Sequence, residues 1–365
     1  MTPPLGDNSV SNGTSDNTKA ETLTIALKEL RYSSDHIDIF RSSTNFRPMS
    51  ENSAMLYFTL FPDHSTSRLT ALSWSLRSSS CLRPNECDNS FITNLEKNDF
   101  LKSEVFRQKH QAVIFDIWGM PAWLSSSSST QDLGGGVLEH QLYPPKNYEQ
   151  WKEVVQAIAE YYSQFDDLTI YFEIWNEPDL DNFWKGSTDD YLRFYEETAK
   201  TLKAANPRFK VGGPTVNQWD GTVDEQSDPL IFELIRYTAE HQVPLDFISW
   251  HHYRYEDIGV AKTQMEEALK KSGYQSMPEF VVSEWHAPNK ISRNSEYAPA
   301  ILANDYLGFY ESGIDVQTIY NWEDDHPENS PDQDYYGLLT RSGTLRPTFY
   351  VHQMFDNLSR DTLGL

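Results

Sequence analysis

Two glutamates each stand at the end of a short, mostly apolar run that is typical of a buried β-strand. Glu177 closes the segment 171–177, which reads YFEIWNE and precedes Pro178, and Glu284 follows the run FVVS at 280–283. A carboxylate is costly to bury without a partner or a task. Taken singly, each glutamate could instead be half of a structural ion pair. Pro178 is expected to keep Glu177 extended and so to turn its carboxylate out at the strand end.

Two carboxylates of this kind can cooperate in the hydrolysis of a glycosidic bond. One must donate a proton to the departing oxygen, and the other must stabilise or capture the sugar cation that develops. In enzymes that retain the anomeric configuration, the two carboxyl groups lie about 5–5.5 Å apart. The fold must therefore bring the two strand ends together, as a parallel β/α barrel does at its C-terminal face.

The pattern of the rest of the chain predicts such a barrel. From about residue 19, short β-branched or aromatic runs alternate with longer amphipathic segments, as in parallel β/α units. The later strands are predicted at 113–118, 169–175, 209–213, 247–250, 280–285 and 318–322. Helices are predicted at 147–165, 188–205, 229–241, 259–272, 296–312 and 346–358. The expected fold class is α/β, a (β/α)8 TIM barrel, for which 365 residues suffice.

The first third of the chain is harder to divide. Residues 1–18 are small and polar and are expected to be disordered. Residues 19–35 are assigned to an accessory strand or hairpin, and residues 36–365 to the catalytic barrel. The elements predicted early in that barrel are strand 1 near 38–42, helix 1 at 50–61 with Ser50 as its N-cap, strand 2 at 69–77 and helix 2 at 95–109.

Composition restricts the class of partner. The net charge of −24 opposes binding to nucleic acid or to an anionic membrane surface and favours neutral substrates. The sequence contains no run of 18 apolar residues, so no membrane span is predicted. The 10 Trp and 20 Tyr suit either a sugar-stacking cleft or a large aromatic core. The oligomeric state stays open, and the polar N-terminus predicts a cytoplasmic enzyme or a secreted one whose signal has been removed.

No cofactor or metal is expected. Cys81 and Cys87 could form a local disulfide, but two cysteines alone make no metal site. His251 and His252 are neighbours on a predicted strand, so their side chains should point to opposite faces. Glu173 is interpreted as a buried, hydrogen-bonded group within its strand.

Several motifs resemble those of one enzyme family. The string FEIWNEPDL at 172–180, followed by Phe183 and Trp184, is similar to glycoside hydrolase family 39, the β-xylosidase and α-L-iduronidase family of clan A. The strings VGGP at 211–214 and SWHHY at 249–253 resemble the same family. The resemblance covers roughly residues 112–350. It implies a retaining glycosidase on a (β/α)8 barrel.

The resemblance also implies a role for each matching position. Glu177 would be the general acid/base and Glu284 the nucleophile, with Tyr253 hydrogen-bonding the Glu284 carboxylate. The other positions implied to bind substrate are Asn176 (sugar 2-hydroxyl), His251 (beside the nucleophile), Trp322 (floor of the sugar site), Trp123 (subsite wall), Arg77 (support of the nucleophile), Trp175 and His286.

The N-terminal third departs from the family 39 pattern and looks closer to family 30 of the same clan. Arg41 therefore competes with Arg77 for the position that supports the nucleophile. The chain also stops soon after the last predicted helix, so little room is expected for the β-sandwich that both families usually append. These departures bear on the substrate more than on the chemistry.

The expected function is the retaining hydrolysis of a β-linked neutral sugar, such as a β-xyloside or an internal polysaccharide linkage. The partner is then an oligo- or polysaccharide. One alternative is an iduronidase-like hydrolase of a uronic acid glycoside, which would need a cation in the glycone pocket. Another is a barrel that binds carbohydrate without catalysis, although the presence of both Glu177 and Glu284 argues against it.

Overall fold

The computed structural model describes residues 57–59, 72–75, 112–133, 137–217, 229–253, 257–322, 324 and 326–362, and within these ranges it describes side chains from residue 112 to residue 355. Several predictions lie outside these residues. They are the disordered segment 1–18, the hairpin at 19–35, strand 1 near 38–42, helix 2 at 95–109, Arg41, Arg77, Cys81 and Cys87. None of the described helices is both long and apolar enough to cross a membrane.

Six successive strands between residues 112 and 319 run parallel to one another in chain order. The strands of the structure are β1 (Tyr57–Thr59), β2 (Leu72–Ser75), β3 (Ala112–Ile117), β4 (Thr169–Ile174), β5 (Lys210–Val216), β6 (Phe247–His252), β7 (Glu279–Trp285) and β8 (Val316–Ile319). Each of β3 to β7 pairs with the next strand, and the register between β3 and β4 is continuous from Ala112↔Thr169 to Ile117↔Ile174. The predicted β/α alternation is therefore confirmed from β3 onward.

Helices separate the parallel strands. They are α1 (Tyr148–Tyr162), α2 (Thr188–Ala205), α3 (Leu230–His241), α4 (Ile258–Lys271), α5 (Lys290–Arg293), α6 (Ala298–Ser312) and α7 (Pro347–Thr362). Local sequence explains where several begin: the side chains of Asn147 and Asp257 accept backbone N–H groups of the first turns of α1 and α4. Ser187 and Asp190 form a reciprocal capping box at the start of α2.

The prediction of a helix across 50–61 is wrong at residues 57–59. These residues (Tyr, Phe and Thr) form β1, which pairs antiparallel with β2 and with β8. Aromatic and β-branched side chains favour an extended backbone, and pairing with two neighbours supplies the hydrogen bonds. The predicted strand at 69–77 contains β2, which pairs parallel with β3 as expected.

The inward-facing side chains of the parallel strands form two layers. The lower layer is an apolar plug of Ala112, Ile114, Tyr171, Phe247, Val281 and Val316. Alternation along each strand places the residues two positions further on the same face. This upper layer is polar and buried, and it consists of Asp116, Glu173, Ser249, Ser283 and Thr318. The change from apolar to polar occurs toward the C-terminal ends of the strands, where barrel active sites lie.

Candidate active site

Glu177 sits in a tight, strained turn just beyond β4. The strand ends at Ile174, and both Trp175 (φ 75°) and Glu177 (φ 45°) adopt positive φ angles. The Glu177 N–H donates to the carbonyl of Thr215 at 3.0 Å, and Thr215 also has a positive φ of 56°. The prediction that Pro178 keeps Glu177 extended is therefore wrong. A conformation that costs free energy is held by contacts with β5, as is common at functional sites.

Glu284 lies within β7 and is only 7% exposed. It pairs in register with His251 on β6, directly after a register shift between Trp250 and His251. The pairing of β7 with β8 also shifts register, between Val282 and Trp285. Regular alternation from Val281 would turn Glu284 outward. These irregularities re-aim its side chain toward His251, as bulges do near active sites.

The two carboxylates meet at one imidazole. His251 Nδ1 lies 2.8 Å from Glu177 Oε1 and 3.4 Å from Glu284 Oε2. A carboxylate oxygen of Glu177 lies within 4.8 Å of one of Glu284. This gap suits direct attack by one carboxylate on a sugar held between them. The separation of roughly 6.5–9.5 Å that admits an attacking water is wider.

His251 is positively charged at neutral pH. Burial opposes the charge, but Glu284 and Glu177 outweigh it and raise the pKa of His251 to about 9. The Nδ1–H then donates to Glu177 Oε1. Glu177, His251 and Glu284 are close enough to bind a metal ion together.

Tyr253 supports Glu284 from the end of β6. Its hydroxyl donates to Glu284 Oε2 at 2.6 Å. Its ring packs edgewise against Tyr320 and Tyr336, which follow β8 in the chain. Contacts with Tyr320 and Tyr336 therefore hold the Tyr253 hydroxyl in place, and that hydroxyl orients the Glu284 carboxylate.

Two more acids lie below the glutamates. Asp116 and Glu173 are register partners on β3 and β4, and each is buried, as predicted for Glu173. Burial and the neighbouring Glu173 hold the pKa of Asp116 well above its usual range. Burial likewise raises the pKa of Glu173, although His251 opposes the rise. Both groups thus favour the protonated form.

The other predicted positions are less uniform. Asn176 is half-buried beside Glu177, Trp322 is half-buried and packs edgewise on Phe349, and Trp123 is half-buried against the helix-covered core. Trp175 is fully buried, donates to the Phe183 carbonyl and belongs to the same core, so the structure does not place it beside the carboxylates.

The two remaining histidines of the motifs carry no charge. His252 packs on Phe309 of α6, which confirms that His251 and His252 point to opposite faces, and burial lowers the pKa of His252 to about 4. His286 is buried, its Nδ1 accepts the Ala287 N–H, and burial holds its pKa well below the usual range. Neither ring contacts the glutamates through a hydrogen bond.

Sequence reasoning missed Asn217. Its side-chain Nδ2 donates to Glu177 Oε1 at 2.5 Å. Asn217 directly follows β5, three residues beyond Pro214 of the VGGP motif. A polar residue just past a strand on the active-site face was the available signal, since that is where barrels place functional side chains.

Comparison with known proteins identifies the family. The model of glycosyl hydrolases family 39 matches residues 91–283. This match covers more than half of the 365 residues. The chain therefore belongs to glycosyl hydrolase family 39.

Particular relatives share only part of their length with the chain. A β-xylosidase from Caldicellulosiruptor saccharolyticus is 24% identical over 68% of this chain and 55% of its own length. A β-xylosidase from Geobacillus stearothermophilus is 35% identical over 37% of this chain and 25% of its own. An α-L-iduronidase from Mus musculus is 30% identical over 36% of this chain and 22% of its own length. The chain thus spans about half, or less, of the length of these curated relatives.

Solved structures share the fold. A family 39 enzyme from Xanthomonas axonopodis pv. citri superposes with a TM-score of 0.58 at 19% identity, covering 74% of this chain and 55% of that one. A family 39 β-xylosidase from Caulobacter crescentus superposes with a TM-score of 0.56 at 15% identity, covering 79% and 74%. At this identity the likeness concerns the architecture alone.

Proposed function

We propose that this protein is a retaining glycoside hydrolase whose nucleophile is Glu284 and whose general acid/base is Glu177. The observation that carries the proposal is the approach of the two carboxylates to within 4.8 Å, with His251 between them. Family membership supports it, because Glu177 lies within the region that the family model matches and Glu284 directly follows that region. We further propose that residues before β3 complete a (β/α)8 barrel.

Each glutamate has one task in each of two steps. In the first step Glu284 attacks the anomeric carbon, the glycosidic C–O bond breaks, and Glu177 gives its proton to the departing oxygen. In the second step water attacks the same carbon, Glu177 accepts the water proton, and the bond to Glu284 breaks. Two inversions leave the anomeric configuration unchanged.

The neighbours of the glutamates favour this division of labour. Tyr253 and His251 both approach Glu284 Oε2, so they orient the carboxylate for attack and stabilise its charge. The hydrogen bond between His251 Nδ1 and Glu177 Oε1 orients the carboxyl group of Glu177.

The substrate that we favour is a β-linked neutral sugar, with β-xylosides first. The two β-xylosidase relatives support this choice, and the net charge of −24 disfavours an anionic substrate. A uronic acid glycoside is the second candidate, because α-L-iduronidases from Mus musculus and Homo sapiens are also related over part of the chain.

A panel of aryl glycosides tests the proposal. We expect turnover of a β-xyloside, with NMR showing a β-anomer as the first product. A 2-deoxy-2-fluoro-xyloside with a good leaving group should lose its aglycone and add the mass of the fluoroxylosyl group to the peptide that contains Glu284. If the protein hydrolyses a uronide faster than matched neutral glycosides, and if salt reduces that preference, the second candidate would be favoured. Inverted product, or no turnover of any glycoside, would contradict the assignment.

A further inference from the structure

Asn217 and His251 bind the same oxygen of Glu177. Asn217 Nδ2 lies 2.5 Å and His251 Nδ1 2.8 Å from Oε1. Within the described part of the chain, Oε2 of Glu177 receives no hydrogen bond. The two oxygens of one carboxyl group are therefore in unlike environments.

Asn217 is itself held through its backbone. Its backbone N–H donates to both carboxylate oxygens of Asp179, at 3.0 and 3.2 Å. Asp179 lies two residues after Glu177, in the same loop. The loop after β4 and the end of β5 thus clamp each other at two points, through Glu177 and through Asp179.

We propose that Asn217 is a positioning residue that keeps Oε1 of Glu177 occupied as an acceptor, so that Oε2 carries the proton given to the leaving oxygen. An oxygen that accepts two N–H donors cannot also hold a proton pointed at either donor. This inference rests on the proposed function. It deepens that proposal by assigning the reacting atom of Glu177 and a residue that selects it.

Protons balance in both steps. In the first step the Oε2–H bond breaks and the departing sugar oxygen gains that proton, while Oε1 keeps both donors. In the second step a proton of the attacking water moves to Oε2. Asn217 changes neither its charge nor its hydrogen bond through the cycle, so it contributes geometry rather than a proton.

The test compares Asn217→Ala with Asn217→Leu, which has a similar shape but no donor. We measure kcat/KM, which reports the first step, on aryl β-glycosides of graded leaving-group acidity. For substrates whose leaving group needs a proton, Asn217→Ala should lower kcat/KM about tenfold or more, which is the worth of one hydrogen bond to a charged group. For a dinitrophenyl glycoside, whose leaving group needs no proton, kcat/KM should fall less than about threefold.

Asn217→Leu separates positioning from packing. Its side chain fills about the same space but donates no hydrogen bond and adds no charge, so the variant should be as impaired as Asn217→Ala on poor leaving groups. Recovery by Leu would mean that Asn217 acts only by its shape, and would overturn the inference. Equal losses on all leaving groups would do the same.

Two controls keep the outcomes distinct. Asn294→Ala, an exposed asparagine outside the site, should match the wild type, and thermal unfolding checks that each variant folds. If the wild type hydrolyses no glycoside, the proposed function fails. If the wild type and Glu177→Ala behave as acid catalysis requires but Asn217→Ala shows no leaving-group dependence, only the role of Asn217 fails.

Discussion

The parallel strands carry charged side chains at both ends, but the two ends balance those charges differently. At the N-terminal end Lys210 pairs with Glu279, whose other oxygen accepts the Tyr171 hydroxyl, and Lys203 pairs with Asp246 at 3.0 Å. Each of these two acids has a cation partner. Such pairs are half-exposed and contribute modestly to stability.

At the C-terminal end the balance is lost. Among the described residues, the carboxyl groups of Asp116, Glu173, Glu177 and Glu284 surround one imidazolium, His251. Burying this many acids around one cation costs free energy, which a site selected for stability alone would avoid. A single strand can contribute both to stability and to a functional site, since β7 begins with the structural Glu279 and carries the proposed nucleophile Glu284 near its end.

The largest expected effect separates the two glutamates of β7. Glu284→Gln should lower kcat on every aryl glycoside on the order of 10⁵-fold or more, because no intermediate can form. Glu279→Gln, at the other end of the strand, should keep most activity and lose about 1 kcal/mol of unfolding free energy with its ion pair. Steady-state kinetics and urea unfolding measure both. Comparable loss of activity in the two variants would remove the distinction between the ends.

Glu177→Ala should have a large effect that depends on the substrate. We expect a loss of roughly 10²–10⁴-fold on glycosides with poor leaving groups, the usual worth of acid catalysis. With dinitrophenyl glycosides the first step should survive, and added azide should speed turnover and give a glycosyl azide of retained configuration. The exposed Asp181→Ala is the matched control in the same loop. A glycosyl azide of retained configuration from Glu284→Ala, with one of inverted configuration from Glu177→Ala, would instead show that the two roles are swapped.

His251 predicts a pH dependence of stability. Its folded pKa of about 9 lies above the ordinary value of 6.5, so its stabilising contribution is full below about pH 6.5 and is lost as pH rises through 9. Between these limits the wild type should lose on the order of 3 kcal/mol of unfolding free energy relative to His251→Gln. Urea unfolding at pH 6 and pH 9.5 gives the difference. A gap between the two proteins that does not change with pH would show that His251 is uncharged.

The smallest expected effect is a change in the free energy of unfolding that has opposite signs at the two ends of the parallel strands. The raised pKa of Asp116 means that its ionised form destabilises the fold, a cost that disappears as pH falls toward 4. Asp116→Asn should therefore raise the unfolding free energy at pH 8 and change it less near pH 4. Asp246→Asn, which weakens bonds to Lys203 and the Val211 N–H, should lower it by about 1 kcal/mol. Destabilisation in both variants would contradict the comparison.

Local pattern determined much of the fold in advance. The bounds of β3 to β8 and of the main helices agree with the predictions to within four residues, because buried strands and amphipathic helices have distinct periods. The helix expected at 50–61 failed where antiparallel pairing of Tyr57–Thr59 with two other strands outweighed the local reading. That pairing depends on residues far away in the chain.

The sequence by itself determined that Glu177, Glu284, His251 and Tyr253 belong together, since their motifs carry the family pattern. Only the tertiary structure decided how they are held. The positive φ of Glu177 depends on the Thr215 carbonyl, and the direction of Glu284 depends on register shifts against β6 and β8. The bond from Asn217 joins positions 40 residues apart. Residue types suggest which chemistry a chain can perform, whereas contacts distant in sequence set the distances and charges that the chemistry needs.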